Sequence, residues 1–201
     1  FWDKLQQTGY ETVSTEVFAK MADTQTPQGI LTVLEQPVYD LTQLLEQPDP
    51  LFLMLENLQD PGNLGTMIRT GEGAGITGVI MNNQTVDIFN PKTIRATMGS
   101  IFRVPFVYVP DLALVLEQMH AKGIYTYAAH LKGQEYYDSF SFREPTAFLI
   151  GNEGNGLSKE ISDQAGQYLK IPMEGRVESL NASIAAALLM YEAHRQRSAR
   201  L

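Results

Sequence analysis

Residues 51–81 read LFLMLENLQDPGNLGTMIRTGEGAGITGVIM, and this stretch decides the fold class. Leu51–Leu55 is a continuous apolar run, as expected of a strand buried on both faces. Asp60-Pro61-Gly62 makes a tight turn, and Asn63 reads as the N-cap of a helix from about Leu64 to Gly73. Gly78–Met81 is the next strand. Strand, helix and strand in so short a span form a βαβ unit, which requires parallel pairing.

Working outward, the same alternation continues toward the carboxyl end. Helices are expected at 91–98, 111–121, 158–164 and 181–197, and strands at 104–109, 124–129, 147–150 and 168–171. Pro91 suits a first helical turn, Gly123 a helix end and Ser158 a cap. The expected fold is therefore α/β, a mostly parallel sheet flanked by helices. Residues 1–50 differ, being rich in Thr, Gln and Pro with weak apolar periodicity. There, Gln25-Thr-Pro27-Gln-Gly29 reads as a turn, 30–35 as a short strand and 39–46 as a short helix.

Gly73-Ala-Gly75-Ile-Thr-Gly78 spells the dinucleotide fingerprint but faces the wrong way. That fingerprint needs a strand before it and a helix after it, so that a helix N-terminus meets the pyrophosphate. Here a helix ends and a strand begins, so the glycines read as a helix cap and turn.

Three polar blocks lie at strand ends, the edge where open α/β sheets bind ligands. In the first, Arg69 stands one helical turn beyond Gly65, and helical side chains lean toward the N-terminus. A glycine at 65 leaves the guanidinium a clear path toward the positive end of its own helix, where it calls for an anionic partner. An ordinary surface arginine beside an incidental glycine is the plainer alternative. The second block, Leu149-Ile150-Gly151-Asn152-Glu153-Gly-Asn-Gly156, holds one charge among glycines that permit close approach or positive φ. In the third, Pro172 ends a strand before Met173, and Ser179-Leu180-Asn181 offers two helix-capping residues where one helix start needs a single cap.

Composition narrows the classes further. The 201 residues carry a formal net charge of −8, which argues against broad coating by nucleic acid. A local basic patch stays open, with Lys92, Arg95 and Arg103 centrally and His194, Arg195, Arg197 and Arg200 in the tail. The tail also reads as a frayed helix end, where cations suit the dipole. There is no cysteine, which excludes disulfides and thiolate zinc sites and suits a reducing cytoplasm. The longest apolar run, near 182–191, is about half of the ~20 residues a membrane span requires. No cationic leader precedes an apolar core, and Phe1 in place of Met suggests a processed or truncated start.

Together the blocks resemble the three motifs of the SpoU (TrmH) RNA ribose 2′-O-methyltransferases of the SPOUT superfamily. Asn63, Gly65 and Arg69 match the first motif, and Gly151, Glu153 and Gly156 the second. Ile171-Pro172-Met173 with Ser179-Leu180-Asn181 matches the third, and the similarity covers roughly residues 50–195. The resemblance implies a deep C-terminal trefoil knot, a homodimer and S-adenosylmethionine as methyl donor, with no metal. It further implies an RNA substrate, ribosomal RNA favoured over transfer RNA. Residues 50–201 would be the catalytic domain, and 1–49 a linker or remnant of an N-terminal substrate-binding region. Leu149, Ile150, Gly151, Asn152, Ile171, Met173, Ser179 and Leu180 would hold the cofactor. Asn63, Arg69, Glu153, Ser179 and Asn181 would line the reacting end. Apart from the resemblance, we read Arg69 as clamping a neighbouring phosphate and stabilising alkoxide charge, with Glu153 orienting it. Two rivals differ in kind: a non-catalytic RNA- or cofactor-binding module, and a base-methylating SPOUT enzyme. The three histidines, His120, His130 and His194, lie outside the blocks.

Overall fold

The computed structural model describes residues 2–22, 24 and 26–198, so Gln25 of the expected turn and Arg200 of the basic tail lie outside the described residues. The chain divides into two compact units, residues 1–37 and 38–201. The first holds two short helices, α1 (Trp2–Thr8) and α2 (Thr15–Met21), the second of them capped by Ser14. The strand expected at 30–35 does not form: this segment is exposed and pairs with no strand. An isolated strand has nothing to bond its amides, whatever its propensity.

The second unit opens with α3 (Leu41–Leu45), whose Leu44 and Leu45 are buried. Alternation then follows: β1 (Leu51–Leu55), α4 (Pro61–Ala74), β2 (Gly78–Asn82), α5 (Pro91–Thr97), β3 (Phe106–Val109), α6 (Leu112–Ala121) and β4 (Tyr125–Ala129). A two-residue strand β5 (Glu135–Tyr136) precedes β6 (Thr146–Ile150), α7 (Lys159–Gln164), β7 (Gln167–Lys170) and α8 (Ala182–Ser198). Every pairing is parallel, in the order β3-β2-β1-β6-β4-β7-β5. Helices cover both faces, which is why β1, β2 and β6 are buried throughout. Leu51, Leu53 and Leu55 join the core with Leu64, Ile68, Leu189 and Met190, whereas Phe52 and Met54 face Leu116, Met119 and Leu149.

One helix start differs from expectation. Helix α4 starts at Pro61, with Asp60 as its cap: Asp60 Oδ1 accepts from the Asn63 amide at 2.7 Å. Proline suits the first helical position because its missing N–H would have no partner there. Asn63 thus sits inside the first turn with its side chain free for other work. At the other end Gly75 caps α4 with φ 77°, and Gly78 begins β2, as the reversed fingerprint requires.

The end of α8 is pinned in place. Arg197 donates to the carbonyls of Phe142 (2.8 Å), Asp49 (2.8 Å) and Glu144 (2.7 Å), and Gln196 bonds both Phe142 N and Phe140 O. Arg195 pairs with Glu192. Arg197 and Gln196 therefore tie the end of α8 to the rest of the domain, whereas Arg195 pairs only within its own helix, and a frayed end is the wrong description of residues 195–198.

Candidate functional site

The sheet order brings the three blocks together. Strands β1, β6, β4 and β7 are consecutive neighbours, so the segments leaving their carboxyl ends converge on one edge. The order runs one way from β1 to β2 and the other way through β6, which makes this a switch point of the kind where α/β sheets open a crevice.

Glu153 is the centre of the polar contacts. Its Oε1 accepts from Asp60 N (2.9 Å) and Asn63 Nδ2 (3.0 Å), and its Oε2 from Gln59 N (3.1 Å). Asn63 Oδ1 in turn accepts from Asn181 Nδ2 at 3.0 Å. Asn181 Oδ1 then accepts from Ser183 N (2.9 Å) and Ser183 Oγ (2.7 Å) at the start of α8. One unbroken chain, Glu153–Asn63–Asn181–Ser183, thereby spans all three blocks. Burial alone would raise the Glu153 carboxyl, but the donors from Asn63, Asp60 and Gln59 outweigh it and hold the group below the ordinary carboxylate range.

This arrangement corrects the pairing of Glu153 with Arg69, because both Glu153 oxygens are already engaged by the turn between β1 and α4. Arg69 is exposed and makes no hydrogen bond or ion pair among the described residues. The clear path over position 65 is corrected too. A Cβ on Gly65 would lie 2.5 Å from Ala96 Cβ and 2.7 Å from the Thr93 carbonyl oxygen. The glycine is there so that α4 and α5 can touch. Beside it, Lys92 reaches Asp60 (3.4 Å) and Arg103 pairs with Glu72, while Arg95 is exposed.

Next to the polar chain lies a cavity of about 280 Å³. Ile150, Gly151, Asn152, Ile171, Met173, Ser179 and Leu180 line it, together with Glu153. Leu149 does not: strand alternation turns its side chain to the opposite face, against the Phe52 and Met54 cluster. Of the residues assigned to the reacting end, Glu153 and Ser179 line the cavity, whereas Asn63, bonded to Glu153, and Asn181, bonded to Asn63, stand behind its wall. The glycines of the second block serve the chain itself, since a Cβ on Gly151 would lie 2.1 Å from the backbone of Gly156 and of Leu157. Gly156 turns the loop back with φ 69°, and Asn152 and Gly156 exchange backbone bonds at 3.0 and 2.8 Å.

Ala129, His130 and Leu131, at the end of β4, also line the cavity. They carry no motif, and only the position of β4 between β6 and β7 reveals them. His130 Nδ1 accepts from Lys132 N at 3.0 Å, and its ring stacks on Tyr168 with centroids 4.9 Å apart. The apolar walls (Ile150, Leu157, Ile171, Leu180) suit a flat heterocycle, and the carboxylates of Glu153 and Glu178 suit a cationic centre. Among the described residues no cluster of three or more His, Asp or Glu side chains is placed to hold a metal ion.

The family model for the SpoU rRNA Methylase family matches residues 50–191. The chain belongs to the SpoU rRNA methylase family. It is 35% identical over 179 residues to the 23S rRNA (guanosine(2553)-2′-O)-methyltransferase RlmP of Bacillus subtilis, covering 89% of this chain and 70% of that protein. It is 33% identical over 199 residues to a 23S rRNA (uridine(2479)-2′-O)-methyltransferase of Streptomyces viridochromogenes, covering 92% of this chain and 69% of that protein. Among solved structures, the SpoU methyltransferase AviRb of Streptomyces viridochromogenes in complex with AdoMet superposes with a TM-score of 0.88. That match is 30% identical and covers 98% of this chain and 77% of AviRb. This SpoU-family chain thus shares its fold with SpoU methyltransferases, and its relatives include enzymes named for 2′-O-methylation of 23S rRNA. Among its described residues no helix is long and apolar enough to cross a membrane.

Proposed function

We infer that this chain is an S-adenosylmethionine-dependent methyltransferase that modifies a ribose 2′-hydroxyl of ribosomal RNA. The single observation that carries this reading is the Glu153–Asn63–Asn181 chain beside the cavity: three distant blocks spend their polar side chains on building one site. Ile150, Gly151, Asn152, Ile171, Met173, Ser179 and Leu180 would hold the cofactor, which supplies, when bound, an electrophilic methyl group on a sulfonium. Glu153 anchors the wall of the cavity and contributes negative charge beside it. Asn63, with its amide bonded at both ends, sets the spacing between the first and third blocks. Ser179, exposed on the rim, is available to bond the incoming ribose.

Arg69 is the part of the site least tied to its own chain. Its role in this reading is to hold an RNA phosphate and to stabilise negative charge as the hydroxyl loses its proton; a guanidinium stays protonated and makes a poor base. A homodimer suits this role, since a residue without a partner in one chain can face a site made with a second copy. The exposed apolar side chains of α8 support that assembly. The C-terminal knot and a cytoplasmic location complete the reading. Residues 1–37 fit as a linking or substrate-binding segment, whereas 38–49 belong with the catalytic domain, since Leu44 and Leu45 are buried in its core.

Calorimetry with S-adenosylmethionine, followed by methyl transfer to unmodified 23S rRNA and mass spectrometry of the digest, tests the reading. The expected product is a 2′-O-methylated nucleotide. Binding without transfer would support a non-catalytic module, and a methyl on a base would favour the base-methylating rival. Arg69→Ala is expected to lower transfer by about 100-fold or more while leaving cofactor affinity intact. Arg69→Lys should remain impaired, and near-normal activity there would defeat the bidentate phosphate clamp.

A further inference from the structure

A second polar assembly joins the ends of β1 and β2, outside the three blocks, to the loop of the second block. Asn82 ends β2 and is buried. Its Oδ1 accepts from Asn57 N (2.9 Å) and from Thr85 Oγ1 (2.8 Å), and its Nδ2 donates to Asn57 Oδ1 (2.8 Å). Asn57 is held in the left-handed region at φ 55°, which turns its carbonyl toward the second block. That carbonyl accepts from Asn152 Nδ2 at 2.9 Å and from Gln59 Nε2 at 3.0 Å. Asn152 Oδ1 in turn accepts the amides of Gly154 (2.9 Å) and Asn155 (3.0 Å). Glu56, buried beside Asn57, accepts from Ser158 N at 2.7 Å and so anchors the far end of the same loop.

We propose that Asn57 and Asn82 form an amide pair that positions the cavity loop 151–156, and through it the Glu153 carboxylate. The two asparagines are positioning residues: neither lines the cavity, and each acts through a backbone or side chain that does. The strand-end loops of β1, β2 and β6 are stitched together by this pair. Its loss frees the carbonyl of Asn57 to turn away from Asn152, and with it the wall that carries Glu153. The expected effect on cofactor affinity rests on the cavity being the S-adenosylmethionine site.

An amide pair has a signature that a space-filling pair lacks. With Asn57→Asp the new carboxylate still accepts from Asn82 Nδ2. With Asn82→Asp, a flip of the Asn57 amide presents an N–H in place of an oxygen. Each single variant therefore keeps the bond, and the double variant sets two carboxylates against each other. Cofactor affinity in each single variant is expected within about 3-fold of the parent, and in the double variant lowered by about 10-fold or more. Hydrogen exchange without cofactor should show faster exchange at Gly154 and Asn155 in the double variant alone. Asn57→Gly removes the side-chain half of the pair and suits positive φ, so it carries the test if the double variant fails to fold, with the same loss expected. A double variant whose affinity and exchange match those of the single variants overturns the proposal. If the parent itself does not bind S-adenosylmethionine, the cofactor reading fails separately, and the exchange comparison still decides the pair.

Discussion

Glu153 shows how one side chain can be structural and chemical at once. It takes three donors from the β1–α4 segment, and those donors keep it ionised although burial opposes charge. A carboxyl held low in the folded state contributes stability that is present above its unfolded value of about 4.3 and lost as pH falls through the folded value. Glu153→Gln turns one acceptor into a donor that faces N–H groups. It should lower the melting temperature at neutral pH, and the gap from the parent should close on acidification below about pH 4. Thermal unfolding of both proteins from pH 3 to 7 checks this, and a gap unchanged across the range would contradict it. At this scale the residue identities were legible in the sequence, but their partners were not. Nothing in the spacing says that Glu153 bonds Asn63 across 90 positions, or that Asp60 rather than Asn63 caps α4.

Helix α4 carries two kinds of information along its length. Its first turn presents Asn63 to the site, and its next turn presses Gly65 against α5 with no room for a methyl group. Gly65→Ala should therefore destabilise the protein by about 1–3 kcal/mol through overpacking, although alanine is the better helix former. Chemical denaturation would measure it, and a neutral or stabilising result would mean that α5 moves aside freely. The element boundaries follow the apolar runs closely because strands buried on both faces leave an unmistakable pattern. The two-residue β5 and the unpaired stretch at 30–35 were beyond such reading, since pairing partners, not propensity, decide whether a strand exists.

Over the whole molecule, α8 joins the site to a surface. Ser183, Ala186, Leu189, Met190 and Ala193 are buried on one side, while Ile184 (49% exposed), Leu188 (36%) and Tyr191 (49%) share another. That apolar stripe on a chain of net charge −8 is the face expected to meet a second copy. Leu188→Glu with Ile184→Glu should convert a dimer to a monomer in light scattering, with loss of methyl transfer and unchanged secondary structure by circular dichroism. A variant that stays dimeric would place the interface elsewhere. By itself the sequence determined the parallel α/β class, the three blocks and the family they resemble, because buried strands and glycine-rich turns are local constraints. Only the tertiary structure decided that β4 lies between β6 and β7, bringing His130 to the cavity, that Gly65 serves α5 rather than Arg69, and that Asn57 and Asn82 meet. Those facts depend on strand order and close packing, which join residues far apart in the chain and leave no periodic trace in it.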